Sequence, residues 1–108
     1  MATSKSYIEA CLACVITCEI CLSDCITRNE IRCASLCRDC ADICNLAARF
    51  EARGSNFTTG LHALCAEICQ ACFVECTKHA DHHDTCRACA EACEKCVQIC
   101  EFHKQEVN

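Results

Sequence analysis

The chain is short of the residues that build ordinary cores and nucleic-acid surfaces. Its 108 residues include no proline, no tryptophan, two glycines and five aromatic side chains. It has no clustered basic face and a net charge of −5, so we do not expect it to bind nucleic acid. No apolar run approaches the ~20 residues of a membrane span, and the first residues lack the apolar region of a signal peptide. We therefore expect no membrane association and a cytoplasmic location, where thiols stay reduced.

Cysteine is the residue that the sequence has in excess. Eighteen of the 108 residues are cysteine, and without them 39 apolar residues remain, many of them alanine. That is little material for a conventional core, so the cysteines are expected to occupy core positions. Cysteine can act as a small buried hydrophobe. A purely structural role for eighteen of them is disfavoured, because alanine, valine or leucine would serve without the risk of oxidation.

The cysteines form four groups in which the spacing alternates between three and four residues. This is the a/d spacing of a heptad, and it places all the thiols of a group on one stripe of a helix. Disulfide frameworks are spaced irregularly, and two cysteines three or four residues apart in a helix have poor disulfide geometry. The four groups are Cys11, Cys14, Cys18, Cys21 and Cys25; Cys33, Cys37, Cys40 and Cys44; Cys65, Cys69, Cys72 and Cys76; and Cys86, Cys89, Cys93, Cys96 and Cys100.

Four groups predict four helices in one domain that spans residues 1–108. Short connections between helices of similar length predict an all-α fold, an antiparallel up-down-up-down four-helix bundle with a cysteine-lined core. Ser6 and Glu9 have capping-box spacing at the first helix, and Gly54 is a natural residue to follow the second. Leu12 and Ile16 lie away from the seam, where a second bundle could cover them. The predicted helices cover about residues 4–26, 29–52, 57–78 and 82–104.

The number of thiols helps to select the metal. Soft thiolates select Cu(I), zinc or iron–sulfur clusters, and iron–sulfur ligation uses a few cysteines around a bulky cluster. Zinc in about four Cys₄ sites would leave about two uncompensated negative charges per site, which a narrow core tolerates badly. Cu(I) accepts two or three thiolates that can bridge, so about one ion per cysteine leaves the core neutral. The pattern favours multiple Cu(I) ions; a metallothionein-like buffer for zinc or cadmium is the alternative.

Four histidines continue the cysteine register at the ends of the helices, namely His62, His79, His82 and His103, and His83 lies one position off it. Three of them cluster where helix 3 turns into helix 4, and we expect a mouth there that passes copper inward. The alternative is that these are exposed loop residues with no ligand role. At the opposite end, Phe57 and Phe102 are expected to close the bundle beside His62 and His103. The three residues of the expected mouth are His79, His82 and His83.

No catalytic constellation is evident, so we do not expect an enzyme. A thioredoxin-like redox site would use one C-x-x-C pair on a βαβ scaffold rather than many pairs on helices. A plain interaction bundle remains a further alternative, in which partner binding would not need the cysteines. The acidic residues between the cysteines are expected on solvated outer faces, where they aid solubility. They are Glu67, Glu75, Glu91 and Glu94.

Three segments resemble the bacterial copper storage proteins. They are CRDCADIC at residues 37–44, CAEICQAC at residues 65–72 and CRACAEACEKC at residues 86–96, and the resemblance extends over essentially the whole chain. It implies a bundle that stores many Cu(I) ions for copper homeostasis and detoxification, usually as a tetramer. All eighteen cysteines would be ligands, with histidines near the start of helix 4 as additional ones. Exported members of the family have a signal peptide and methionines near the opening of the bundle. This sequence shows neither feature, since its only methionine is the initiator, and it is therefore similar to the cytosolic branch. No copper donor or acceptor protein is implied.

Overall fold

The computed structural model describes the backbone of residues 4–107 and the side chains of residues 4–101. Four α-helices make up nearly all of this part of the chain. Each boundary lies within three residues of the position predicted from the cysteine groups. The helices are α1 (Lys5–Thr27), α2 (Ile31–Ala52), α3 (Thr58–Thr77) and α4 (Asp84–Val107).

The four helices form an antiparallel bundle. Each helix packs against two neighbours, α1 and α3 both lying between α2 and α4. Cys11, near the start of α1, lies 3.8 Å from Cys96, late in α4, whereas Cys21 lies 3.6 Å from Cys86 at the start of α4. The result is a rod with principal extents of 43 × 20 × 18 Å. The predicted four-helix bundle is confirmed, with every cysteine stripe facing the common axis.

The helix ends explain where the predicted boundaries shift. The hydroxyl of Ser4, not Ser6, caps α1 by accepting a 3.2 Å hydrogen bond from the Tyr7 amide, so the predicted capping box was wrong. Asn29 has a φ of 59°, which is not a helical conformation, so α2 begins at Ile31 rather than at residue 29. Gly54 has a φ of 64° directly after α2, which confirms its predicted place.

By length and composition alone, α1 is apolar enough to cross a membrane. The expectation that no such run exists was wrong, because cysteine ranks as apolar on hydropathy scales. A core helix of a bundle meets the same criterion. In this bundle the cysteine stripe of α1 is fully buried against the other helices.

Apolar residues beside the cysteine seam hold neighbouring helices together. Val15 and Leu22 on α1, Leu36 on α2 and Ile68 on α3 are partly buried against the thiol core. Long aliphatic side chains therefore seal the bundle around a column of small ones. The helices can approach closely because the thiols between them are small.

Candidate metal centre

All eighteen cysteines are reduced and buried. None exposes more than 5% of its surface, and most expose none. A heptad stripe explains this, because alternating steps of three and four keep each thiol on the same face of its helix. Four such faces meet along the axis and fill it with sulfur.

Sixteen of the sulfurs form four layers, each with one cysteine from every helix. Neighbouring sulfurs within a layer lie close enough for one ion to contact several of them. Cys25 extends the column at one end and Cys100 at the other. The layers are Cys11, Cys44, Cys65 and Cys96; Cys14, Cys40, Cys69 and Cys93; Cys18, Cys37, Cys72 and Cys89; and Cys21, Cys33, Cys76 and Cys86.

The layers connect into one column. Cys14 lies 3.9 Å from Cys18 in the next layer, and Cys72 lies 3.9 Å from Cys76. At 1.5 Å per residue, the stripe from Cys11 to Cys25 extends about 20 Å. Sulfurs of adjacent layers are therefore close enough for one sulfur to contact ions in both layers.

Distances between sulfurs do not by themselves choose the metal. A tetrahedral ion with bonds of about 2.3 Å to sulfur needs sulfurs about 3.8 Å apart. The hydrogen-bonded sulfur pairs are 3.5 to 4.0 Å apart, which suits zinc as well as copper. The charge of the metal–thiolate sites distinguishes zinc from Cu(I). Among the arginines and lysines of residues 4–101, Arg28 is the one hydrogen bonded to a sulfur, so the core has little positive charge to offset anionic zinc sites.

Burial keeps the outer thiols protonated before metal arrives. Loss of solvation raises the pKa of Cys25 to about 12, and it also raises the pKa of Cys86. Both residues lie at the end of the column where α1 turns into α2 and α3 into α4. A metal ion that binds there must displace protons.

The three predicted mouth histidines lie at this end but in different surroundings. His79 is partly buried, with Nε2 3.1 Å from Glu75 Oε2 and 3.9 Å from Glu30 Oε2. His83 is half-buried, whereas His82 is exposed. Both lie in the turn between α3 and α4, where the helical register that placed His82 on the seam does not apply.

Glu75 is a candidate functional residue whose burial the sequence pattern did not predict. It was expected on a solvated face, but its side chain is 8% exposed and contacts His79, Lys78 and Arg32. Burial opposes its ionisation, yet the hydrogen bonds from these neighbours hold the pKa of Glu75 below its usual value. An ionised carboxylate can only accept, so His79 Nε2 is the donor in this hydrogen bond. In the neutral imidazole, Nδ1 is then the nitrogen with the lone pair. The spacing of four between Glu75 and His79 was the available signal. Glu67, Glu91 and Glu94 are exposed, as expected.

The opposite end of the column is closed by Tyr7. Its ring is fully buried and lies 4.0 Å from the ring of His62, whose Nε2 is 2.9 Å from Glu51 Oε1. Glu51 also accepts a 3.0 Å hydrogen bond from the Ser4 amide. Phe57 was expected to close this end, but it is 74% exposed. His103 and Phe102 lie outside the described side chains.

Tyr7 and Arg28 could have been found from the cysteine register. Tyr7 precedes Cys11 by four residues and Arg28 follows Cys25 by three, so both continue the alternation on α1. Glu51 continues the register of α2 in the same way. The register therefore predicts these residues at the ends of the column as well as the histidines.

Comparison with known proteins identifies the family. A sequence profile described as copper storage protein matches residues 1–105. The chain is 43% identical over 101 residues to the uncharacterised cysteine-rich protein YhjQ of Bacillus subtilis, covering 90% of this chain and 92% of that one. The Cu(I)-bound copper storage protein BsCsp3 aligns with a TM-score of 0.87 and 41% identity, over 94% of this chain and 97% of that one.

A second solved structure agrees. It is a cytosolic copper storage protein from Streptomyces lividans with five coppers, which aligns with a TM-score of 0.85 and 36% identity over 90% of this chain and 88% of that one. The profile match covers nearly the whole chain, and both solved structures belong to the family that the cysteine pattern resembles. The chain belongs to the copper storage protein family.

Proposed function

We propose that this bundle stores many Cu(I) ions on the thiolates that line its core, and so sequesters the metal for copper homeostasis and detoxification. The observation that carries the proposal is the continuous column of eighteen buried sulfurs. All eighteen cysteines act as ligands. The Cu(I)-bound BsCsp3 and the copper-loaded Streptomyces lividans protein, both close in sequence and fold, support the choice of metal.

Charge balance supports about one Cu(I) per cysteine. Each Cu(I) that replaces one thiol proton leaves the net charge of the core unchanged. A zinc ion on four thiolates instead adds about two negative charges to a region with little positive charge. Sulfurs that contact neighbours both within and between layers are placed to bridge successive copper ions. The core of one chain can therefore store the copper ions, and this function requires no catalytic step.

We place the mouth at the end where His79 and His83 lie. Tyr7 closes the other end, whereas this end has two partly exposed imidazoles, which lie three residues from Cys76 and Cys86 in sequence. Imidazole binds copper, and with Nε2 of His79 directed at Glu75, its Nδ1 is the atom that would receive the ion. His82, on the exposed turn, would be the first to meet incoming copper.

The test is an anaerobic titration of fully reduced protein with Cu(I) against a competing chromophoric chelator, with parallel thiol counting. We expect saturation near one copper per cysteine, in a protein that is folded before metal is added. A parallel titration with zinc is the control. Saturation near four or five ions with either metal would replace the copper store by a tetrahedral thiolate buffer.

A second copy of the chain is proposed to cover the exposed face of α1. Leu12, Ile16 and Ile20 follow one another at four-residue spacing and are 43%, 62% and 54% exposed. Contiguous apolar residues of this kind mark interaction surfaces. Together with the family resemblance they support a homo-oligomer, a tetramer. Light scattering of wild-type protein and of Ile16→Lys tests this: the variant should be smaller, and an unchanged mass would contradict it.

The proposed location is the cytoplasm. Eighteen reduced thiols bind copper only where disulfides do not form, and a reducing compartment provides that condition. Fractionation of cells that express the full-length chain tests this. Recovery of the protein with membranes or outside the cell would contradict it.

A further inference from the structure

Arg28 contacts two sulfurs at the histidine end of the column. Its Nη2 atom lies 3.5 Å from the sulfur of Cys25 and 3.2 Å from that of Cys86. On the inner side of the same two sulfurs, the sulfur of Cys21 lies 3.8 Å from Cys25 and 3.6 Å from Cys86. Cys25 and Cys86 thus both contact the sulfur of Cys21 toward the core and the guanidinium of Arg28 toward the end of the bundle.

The guanidinium is held in this position by a second set of contacts. Its Nε donates to Asp24 Oδ2 at 3.3 Å, and the same oxygen accepts a 2.6 Å hydrogen bond from the Thr85 hydroxyl. These bonds connect α1 with the start of α4. Only 18% of the Arg28 side chain is exposed, so its hydrogen bonds to an anionic sulfur are less weakened by solvent than those of a surface arginine.

Building on the proposed storage of copper, we infer that Cys25 and Cys86 form a terminal two-thiolate Cu(I) site whose negative charge is balanced by Arg28. Binding breaks two S–H bonds and forms two S–Cu bonds. Two protons leave to solvent, and copper remains Cu(I). The product has one copper on two thiolates and therefore one negative charge.

The terminal position explains why this site needs a protein cation. Within the column, a thiolate can bridge to copper ions on either side, and the charges of metal and sulfur then cancel. Cys25 has no complete cysteine layer beyond it, so an ion there has metal neighbours on one side only. Arg28 supplies the missing positive charge and donates hydrogen bonds to both sulfurs. It is a positioning residue that holds the outermost ion.

A different role would have the opposite consequence. If Arg28 acted as a barrier that repels Cu(I), its removal would speed uptake and leave retention of bound copper unchanged. If it were only a structural link between α1 and α4, its removal would weaken the whole bundle. The experiment must therefore separate retention of the outermost ion from uptake and from folding.

The experiment follows copper release from fully loaded protein after mixing with excess bathocuproine disulfonate under anaerobic conditions. In the wild type we expect a fast phase of about one copper per chain before slower phases. In Arg28→Gln this phase should be about tenfold faster, which corresponds to the loss of a hydrogen bond to a charged group. Arg28→Lys, which keeps the charge but not the planar group, should lie between the two.

Arg87→Gln is the matched control. Arg87 lies beside Cys86 in sequence at the same end of the bundle, and it pairs with Asp84 at 3.1 Å and with the Ala80 carbonyl. Removing its charge should leave the fast phase as in the wild type. In a Cys25→Ser background, Arg28→Gln should add no further acceleration, because the site through which it acts is already broken.

Three outcomes would overturn the inference: an unchanged fast phase in Arg28→Gln, an equal acceleration in Arg87→Gln, or faster release in every phase together with less stable apo-protein. The wild-type loading ratio is measured in the same samples. A ratio far below one copper per cysteine would refute the storage function itself. A normal ratio with an unchanged fast phase would refute only the role of Arg28.

Discussion

A single cysteine in this core contributes to several possible metal sites. The sulfur of Cys93 lies 3.7 Å from that of Cys14 and 3.8 Å from that of Cys40, and Cys18 and Cys72 join it in another group of four. Cys14, Cys18 and Cys40 likewise each belong to two groups of four. A ligand set of this kind should lose capacity in small steps when individual thiols are removed.

Replacing one thiol near the middle of the column tests that idea. Cys93→Ser exchanges a soft sulfur for a hard oxygen, which Cu(I) binds poorly. We expect capacity to fall by about one or two ions, since neighbouring thiolates still bridge the remaining copper. The measurement is the same anaerobic Cu(I) titration. Ala88→Ser, on the exposed face of α4, is the control with full capacity. Complete loss of binding in Cys93→Ser would indicate one cooperative site.

The mouth histidines should affect the rate of loading more than its extent. Changing His79, His82 and His83 together to alanine removes the imidazoles near the outer thiols and leaves all eighteen sulfurs in place. We expect copper uptake to slow severalfold, with capacity nearly unchanged, in stopped-flow mixing with a copper–chelator complex. His62→Gln, at the closed end, should load at the wild-type rate. A large loss of capacity in the triple variant would show that the histidines are more than a mouth.

At the scale of the helices, the two glycines make a matched pair. Gly54 ends α2 with a φ of 64°, whereas Gly60 lies within α3, and a Cβ added at either meets no atom within 4 Å. Gly54→Ala should therefore lower the free energy of unfolding of the apo-protein by about 1 kcal/mol, through backbone strain alone. Gly60→Ala should raise it by about 0.5 kcal/mol.

Urea unfolding of reduced apo-protein, followed by far-UV circular dichroism, measures both changes. Equal effects of the two substitutions would mean that the conformation at Gly54 does not set the end of α2. Copper-binding capacity should be unchanged in both variants, because neither glycine touches a sulfur.

The helices were predictable because their signal is local, whereas the burial of Glu75 and the residue that caps α1 were not. A spacing of three and four fixes which face of a helix is buried, and it also predicts the antiparallel bundle through the short turns. Glu75 lies one position off the register, so its burial depends on Arg32 reaching across from α2 and on the turn that carries His79. Ser4 rather than Ser6 caps α1, and its amide also donates a hydrogen bond to Glu51 on α2, which is distant in sequence. Such contacts depend on tertiary packing.

At the scale of the whole molecule, the bundle must take up many cations without accumulating charge in its core. The protein has a net charge of −5 on a rod 43 Å long, and its thiols are buried along the axis. If each Cu(I) replaces one thiol proton, loading changes neither the charge of the core nor the repulsion between helices. The bundle can then keep its shape from the first ion to the last.

Proton release during loading tests this balance directly. We expect about one proton per Cu(I), measured in weakly buffered solution with a pH indicator and a copper donor that takes up no proton. Because protons compete with copper for sulfur, lowering the pH by one unit should weaken retention per ion about tenfold. A zinc ion on four thiolates would instead release up to about four protons. A ratio well above one throughout the copper titration would mean that negative charge builds up in the core, contrary to the neutral column on which the storage proposal depends.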